Sequence, residues 1–391
     1  MLLIFLLLIV FLGYGIVELR SHHKNVYRIP LRIQVNGTRG KSSVTRLIAG
    51  GLRAGGLRVV AKTTGTKPRF IVSDNEEFPI KRLGKANISE EIKIFRQAQK
   101  YQPQAMVIEC MALVPEYQRT ECHQLVRTTH GVITNVRADH LDVMGPTVKD
   151  VAVALANTIP KNGYLFTAEN TYLPYFQSIA QRRNTKLYHS DPNTVTDEEM
   201  KGFGYIEHKE NVALALLVCE HFGIDRKTAL AGMYRAKPDS GVMRIYKIQD
   251  KGKRIELVYT MAANDPDSIL MLWQMCLNRS PQEQEIIVLV NCREDRADRS
   301  RQLGELVAKK MPAHYYLATG FLTTVFVRSA LNNGIPKNKI VDLGGKSPAE
   351  IYERTLELVK KDAMIFATGN TVGFGEELIN YFAKKGVEDG Y

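Results

Sequence analysis

Val35-Asn36-Gly37-Thr38-Arg39-Gly40-Lys41-Ser42-Ser43 joins what reads as a strand to what reads as a helix. Before it, Leu31-Arg32-Ile33-Gln34-Val35 alternates apolar with polar residues and carries enough β-branching for a strand. After it, Val44, Leu47, Ile48 and Leu52 recur at helical spacing. Gly37 and Gly40 let the backbone turn its N–H groups inward on an anion, the new helix adds the positive end of its dipole, and Lys41 adds a full charge. The general pattern G-x-x-x-x-G-K-[ST] wants glycine where Val35 stands, so only the shorter G-x-x-G-K-S is present. An ordinary turn before a helix is the plainer reading; the strand-loop-helix context favours a phosphate cradle.

Around this stretch, 391 residues exceed the usual single domain, and two domains with cores of their own are expected. The hydrophobic share of 45% and charged share of 24% are those of a globular protein. A net charge of +12 serves solubility or an anionic partner. The clusters Lys62, Lys67, Arg69 and Lys81, Arg82, Lys85 lack interleaved aromatics, and no helix-turn-helix or zinc finger is legible, so an anionic substrate fits better than nucleic acid. Five widely spaced cysteines without a C-x-x-C speak against a disulfide framework or a structural zinc site.

Upstream, Leu2 to Val17 carries no charge. As a helix, residues 1–19 would span about 28 Å, against a hydrocarbon core of roughly 30 Å. No basic region precedes the run and no A-x-A-like site follows, so an uncleaved membrane anchor is expected rather than a signal peptide. Arg20, Lys24 and Arg28 follow it, which by the positive-inside rule leaves the rest of the chain cytoplasmic.

Downstream, Arg58 to Lys62 reads as a strand ending in Thr63-Thr64-Gly65-Thr66, either a plain turn or a ligand-facing loop. Residues 68–82 read as a hairpin and 88–101 as an amphipathic helix. The buried strand 105–111 carries Glu109 near its far end, a charge that needs a partner: either a structural one or a magnesium ion beside phosphates. Strand 131–136 delivers Arg137-Ala138-Asp139-His140-Leu141-Asp142, where Asp139 or Asp142 either caps the helix starting near Thr147 or faces a ligand with His140. Glu109, Asp139 and His140 all follow parallel-type strands, at the carboxyl ends where open α/β sheets bind ligands. Helices 208–222 and 225–235 precede Lys237-Pro238-Asp239-Ser240-Gly241, the best domain boundary.

Beyond it, strands and helices alternate from Ile255 onward, the pattern of a mostly parallel, doubly wound sheet. Three polar stretches begin where its strands end: 263–268, with Asn264 and Asp265; 291–299, with Arg293, Arg296 and Arg299; and 368–375. The arginine run is either a solvated face or a set of clamps, since guanidinium groups bind carboxylates bidentately.

In this order and spacing, the apolar N-terminus, VNGTRGKSSVTRL, AKTTGTKPR, ECMALVPEYQ, TNVRADHLDVMGPT, AANDPDS, VNCREDRADR and ATGN resemble the Mur ligase superfamily, essentially from end to end. Within it, they are most similar to the membrane-anchored ligase subunits of poly-γ-glutamate synthases. The resemblance implies an α/β chain with a transmembrane anchor over 1–19 and a juxtamembrane linker over 20–30. A P-loop ATPase domain of the Mur central type follows over 31–237, and a Rossmann-like ligase domain over 238–391.

The same resemblance implies that Gly37, Thr38, Arg39, Gly40, Lys41, Ser42 and Ser43 cradle ATP, with Lys41 on the β- and γ-phosphates. Ser42 and Glu109 would ligate a first magnesium ion and His140 a second. Asn211 resembles the second asparagine of the superfamily's adenine-site motif, whose first is not evident, and Arg244 the arginine that opens the C-terminal domain and reaches the nucleotide. Leu155 stands where many members carry a carbamylated lysine. Met261 stands where an acidic residue leads the C-terminal substrate motif, leaving Asn264 and Asp265 as substitutes. With Thr64 and the three arginines, these form the expected substrate side.

The chemistry implied is ATP-dependent activation of a γ-carboxylate and its joining to glutamate, with Lys41, Glu109 and His140 as the core. Glutamate, an anionic poly-γ-glutamate chain and other membrane subunits of a synthase and export complex are the expected partners, with a homo-oligomer left open. A glutamate ligase acting on a folate-like acceptor and a membrane-tethered P-loop switch are the alternatives.

Overall fold

The computed structural model describes the chain except Met1, residues 65–67, 83, 85, 204, 206, 238–242, 262–265, 280–283 and 390–391, and except the side chains at 2, 3, 6, 8, 267, 268, 271, 279, 388 and 389. It forms two compact units, one of Met1–Phe203 with Glu207–Asp239, the other of Gly204–Ile206 with Ser240–Tyr391. Asn264, Asp265 and the proline-glycine stretch 238–241 lie outside the described residues.

The first unit is built on an eight-stranded sheet in the order β4-β3-β2-β5-β1-β6-β7-β8. Its strands are β1 (Leu31–Asn36), β2 (Val59–Thr63), β3 (Arg69–Ile71), β4 (Glu77–Pro79), β5 (Ala105–Glu109), β6 (His130–Ile133), β7 (Tyr164–Thr167) and β8 (Lys186–His189). The six strands from β2 to β8 in that order run parallel, and the β3–β4 hairpin adds an antiparallel edge. Strand β1 lies between β5 and β6, where the winding of the chain reverses, so the loop after it opens at the crevice of the sheet.

The alternation in β1 suggested one wet face, yet Ile33 to Asn36 are all buried and Arg32 nearly so. Its polar members are kept inside by hydrogen bonds. Arg32 donates to the carbonyls of Ile29 at 2.6 Å and Arg127 at 2.9 Å, and Gln34 accepts from Thr128 at 2.8 Å.

Helix α1 (Leu2–Tyr27) runs unbroken through residues 20–27, the stretch that reads as a linker in the sequence. Its last turns dock on the first unit: Val26 is buried, and His22 lies edge-on to Phe95 and 2.8 Å from the Leu125 carbonyl. Among the described residues no helix is long and apolar enough to cross a membrane. The span expected over 1–19 is therefore not a finding of the structure, since Met1 and the side chains of Leu2, Leu3, Leu6 and Leu8 fall outside the described set. Ile4, Phe5, Val10, Phe11, Leu12 and Val17 of α1 are exposed.

Helix α2 (Lys41–Ala54) packs against the helices Lys209–His221 and Arg226–Arg235. Gly50 and Gly232 make the second contact close: a β-carbon on either would press on the other's carbonyl. Helix α3 (Glu90–Ala98) covers the opposite face with Ile94 and Phe95 in a core shared with Val60, Met106 and Ile108. The helix Val148–Leu155 is capped by Thr147, whose hydroxyl accepts from Asp150 N while the Asp150 carboxylate accepts from Thr147 N. Neither Asp139 nor Asp142 caps it.

The second unit holds a seven-stranded sheet in the order β13-β12-β11-β14-β10-β9-β15. These are β9 (Arg244–Asp250), β10 (Lys253–Tyr259), β11 (Glu285–Cys292), β12 (Tyr315–Gly320), β13 (Ile340–Asp342), β14 (Asp362–Gly369) and β15 (Gly386–Asp389). Five are parallel; β9 and β15 are antiparallel edge additions that the alternation did not announce. The signal for β9 was local: Lys251 and Gly252, both at positive φ, form a two-residue turn that matches the twist of a hairpin.

Candidate active site

The glycine loop leaves β1 at Asn36 and enters α2 at Lys41. Gly40 sits at φ 77°, a left-handed conformation costly for any residue with a β-carbon, and a β-carbon there would meet Asn211 Oδ1. The loop is clamped from the two residues that follow β6. Asn135 Oδ1 accepts from Thr38 Oγ1 at 2.7 Å and from Arg39 N at 3.1 Å, and Thr134 Oγ1 donates to the Arg39 carbonyl at 2.6 Å. Thr134 and Asn135 are the residues that sequence reasoning passed over, although both lie beside or within the stretch that ends in Asp139 and His140.

Lys41 Nζ donates to the Gly37 carbonyl at 2.7 Å, so its ammonium lies over the loop it belongs to. Ser42 Oγ, one residue into the helix, donates to Glu109 Oε2 at 2.7 Å, and Thr64 N donates to the same oxygen at 2.7 Å. Register explains the meeting: Val35 pairs with Glu109 across β1 and β5, which ends both strands at one level. Glu109 is 3% exposed. Lys41, Ser42, Thr64 and Glu109 are thus brought together from three segments of the chain.

Asn211 is also drawn in, from the helix Lys209–His221. Its Nδ2 donates to Glu207 Oε1 at 2.8 Å, while Oδ1 faces Gly40. Burial pushes the Glu207 carboxyl above the usual range. Sequence reasoning missed Glu207, and only its place one turn before Asn211 hinted at it.

Arg39 Nη2 lies 3.3 Å from Asp139 Oδ1, which ties the loop after β6 to the glycine loop. His140 stands at φ 45° and is 44% exposed on its side chain; its nearest charged neighbour is Asp139 Oδ1, at 3.9 Å from Nε2. Among the described residues no contact joins His140 to Glu109, and no three His, Cys, Asp or Glu side chains converge as a metal cage. Leu155 is 1% exposed in an apolar cluster with Ile133, Val151 and Phe176, a setting with no place for a charged ligand.

In the second unit, Arg244 opens β9 opposite Tyr259. Arg293 Nη2 pairs with Asp295 Oδ2 at 2.8 Å, Arg296 is exposed, and Arg299 Nη2 donates to the Gly369 carbonyl at 2.9 Å. Arg299 therefore reaches the end of β14, and Asn291 Nδ2, from β11, donates to the Asn370 carbonyl at 2.6 Å.

Known proteins match both units. Residues 35–237 match the Mur ligase middle domain and residues 245–385 the poly-gamma-glutamate synthase CapB C-terminal domain. The capsule biosynthesis protein CapB of Bacillus anthracis is 40% identical over 370 residues, 94% of this chain and 79% of its own length. The PGA synthase CapB of Bacillus subtilis (strain 168) is 40% identical over 375 residues, 95% of this chain and 94% of its own. Among solved structures, E. coli FolC in complex with ADP is similar in fold with a TM-score of 0.65 at 13% identity, covering 94% of this chain and 93% of that one. MurF from Acinetobacter baumannii gives 0.65 at 14%, covering 96% and 80%. A mixed α/β fold of the Mur ligase kind and 40% identity along nearly the whole length together place the chain in the CapB family of poly-γ-glutamate synthases.

Proposed function

We propose that the chain is an ATP-dependent ligase that joins glutamate units into poly-γ-glutamate. One observation carries this: the glycine loop, Lys41, Ser42 and Glu109 meet at the carboxyl ends of adjacent parallel strands, in a chain 40% identical to a PGA synthase. A carboxylate is a poor electrophile. Its oxygen attacks the γ-phosphorus of ATP and ADP leaves; the amine of the next glutamate then attacks the acyl carbon, phosphate leaves and a proton is released. No covalent enzyme intermediate is needed, so positioning and charge neutralisation are the chain's task.

The residues present fit magnesium, because the hydroxyl of Ser42 and the carboxylate of Glu109 are hard oxygen donors. Bound there, the ion would neutralise phosphate charge. A second ion would take His140, which is exposed beside Asp139, as its ligand. Lys41 and the loop amides hold the β- and γ-phosphates, with Asn211 and Arg244 as further nucleotide-binding residues. Thr64, Asn264, Asp265, Arg293, Arg296 and Arg299 serve the glutamate and chain carboxylates. The first unit is the ATPase domain and the second the ligase domain.

The exposed apolar residues of α1 support attachment to a membrane, and Arg20, Lys24 and Arg28 after them support a cytoplasmic catalytic body. That placement suits hand-over of a polyanionic product to membrane subunits of an export complex, as does the net charge of +12. The test is incubation of membranes carrying the full chain with ATP, magnesium and labelled glutamate, followed by mass analysis. A long glutamate polymer supports the reading. A short conjugate on a small acceptor, or ATP hydrolysis indifferent to glutamate, overturns it.

A further inference from the structure

Two ionisable side chains buried on the face of the first sheet opposite α2 take no part in the contacts described above. Lys62, on β2, is fully buried; its Nζ is bonded to Glu91 and lies 2.9 Å from Glu90 Oε1 and 3.5 Å from Met111 Sδ. Glu121, also fully buried, opens the π-helical turn Glu121–Val126. Its Oε1 accepts from Met111 N at 3.2 Å and Gln34 Nε2 at 3.3 Å, and its Oε2 from Ala112 N at 3.1 Å and Cys110 Sγ at 3.6 Å. Apolar side chains of similar size would fill these positions without the cost of desolvating charge, so stability alone is a weak reason for them.

Their place in the chain supplies a better one. Lys62, Ile108 and Gln34 are in register across β2, β5 and β1 and share one face; Glu109, one residue on, points to the other, toward Ser42. Lys62 stands two residues before Thr64, whose amide holds Glu109 Oε2. Glu121 holds the amides of Met111 and Ala112, two and three residues after Glu109. The two backbone segments that aim Glu109 are each pinned from behind by a buried polar side chain. A π-helical turn, rare and frequent at functional sites, is what presents Glu121 to those amides.

We propose that Lys62 and Glu121 are positioning residues for Glu109, holding the ends of β2 and β5 so that its carboxylate meets a magnesium ion. This rests on the reading of Glu109 as a metal ligand. It acts through backbone, so neither side chain touches nucleotide or metal.

The experiment is calorimetric binding of a non-hydrolysable ATP analogue to the full chain, with magnesium and with chelator. Glu121→Gln keeps the volume but turns an N–H₂ toward the amide of Ala112. It is expected to weaken the magnesium-dependent part of binding about tenfold while binding in chelator stays within about twofold, and excess magnesium should restore the affinity. Lys62→Met should move in the same direction. If Glu109→Gln loses the magnesium effect but Glu121→Gln and Lys62→Met keep it, the positioning role is wrong and the metal site stands. If both variants lose binding equally with and without magnesium, the two residues are structural only, and the positioning role is again wrong. If Glu109→Gln itself keeps the full magnesium effect, the metal site fails and this inference with it.

Discussion

Ser42 Oγ and the backbone amide of Thr64 donate to one and the same oxygen of Glu109, each at 2.7 Å. The first turn of α2 and the loop after β2 therefore share a single acceptor at the end of β5, although they lie 67 and 45 residues from it in the chain. A charge that would be costly in the crevice is stabilised by donors until phosphate and metal arrive.

Lys41→Ala should abolish glutamate-dependent ATP turnover, a loss of about a hundredfold or more, because phosphoryl transfer depends on charge at the γ-phosphate. The lysine's contacts are to the loop's own carbonyls at Gly37 and Thr38, so the melting temperature should hardly move. Turnover and calorimetric melting of the same preparation check both halves.

Gly40→Ala should cost about 1–3 kcal/mol and weaken nucleotide binding, because it combines a left-handed backbone with a collision on Asn211. Denaturant unfolding measures the first effect.

Asn135→Ala removes acceptor and donor from the inside of the glycine loop. A stability loss of about 1–3 kcal/mol is expected from the polar groups left unpaired. Nucleotide affinity should fall with it, although Asn135 is a loop clamp and no phosphate ligand; titration with ADP reads this directly.

His130 is packed among Tyr164, Phe166, His221 and Phe222, and burial, followed by His221 and Arg32, holds it down at about 4. An unfolded histidine titrates near pH 6.5, so between about pH 6.5 and 4 the unfolded chain binds more protons and the fold loses stability as pH falls. The contribution is on the order of 3 kcal/mol. His130→Phe should flatten the pH dependence of unfolding in that window, and an unchanged acid limb would count against it.

On the proposed membrane attachment, removal of residues 2–19 should release the chain from sedimenting membranes with its nucleotide affinity intact. Removal through Tyr27 should also destabilise the first unit by roughly 2 kcal/mol, because Val26 is buried and His22 bonds the Leu125 carbonyl. Membrane flotation and thermal melting separate the two effects.

Much of the site was visible in the chain. The glycine loop, Glu109 and Thr64 stand at strand ends and Lys41 and Ser42 at a helix start, and both follow from short-range periodicity and turn residues. The clamp residues Thr134 and Asn135, the Glu207–Asn211 pair and the buried Lys62 and Glu121 were not visible as a set. Each is an ordinary polar residue until strand order brings its partner near, and the partners lie on other elements. The same limit hid β9 and β15, whose antiparallel pairing on the edge is a property of the assembled sheet, apart from the Lys251-Gly252 turn.

Local sequence alone determined that a strand runs into the glycine loop and a helix follows it, since backbone preference and side-chain period act over a few residues. Tertiary structure alone decided that Glu109 shares its oxygen with Ser42 and Thr64, that the polar residues of β1 lie inside, and that Leu155 sits in an apolar core away from any ligand. Those outcomes depend on which strands become neighbours and in what register, and the winding order β2-β5-β1-β6 sets that through contacts spanning tens of residues.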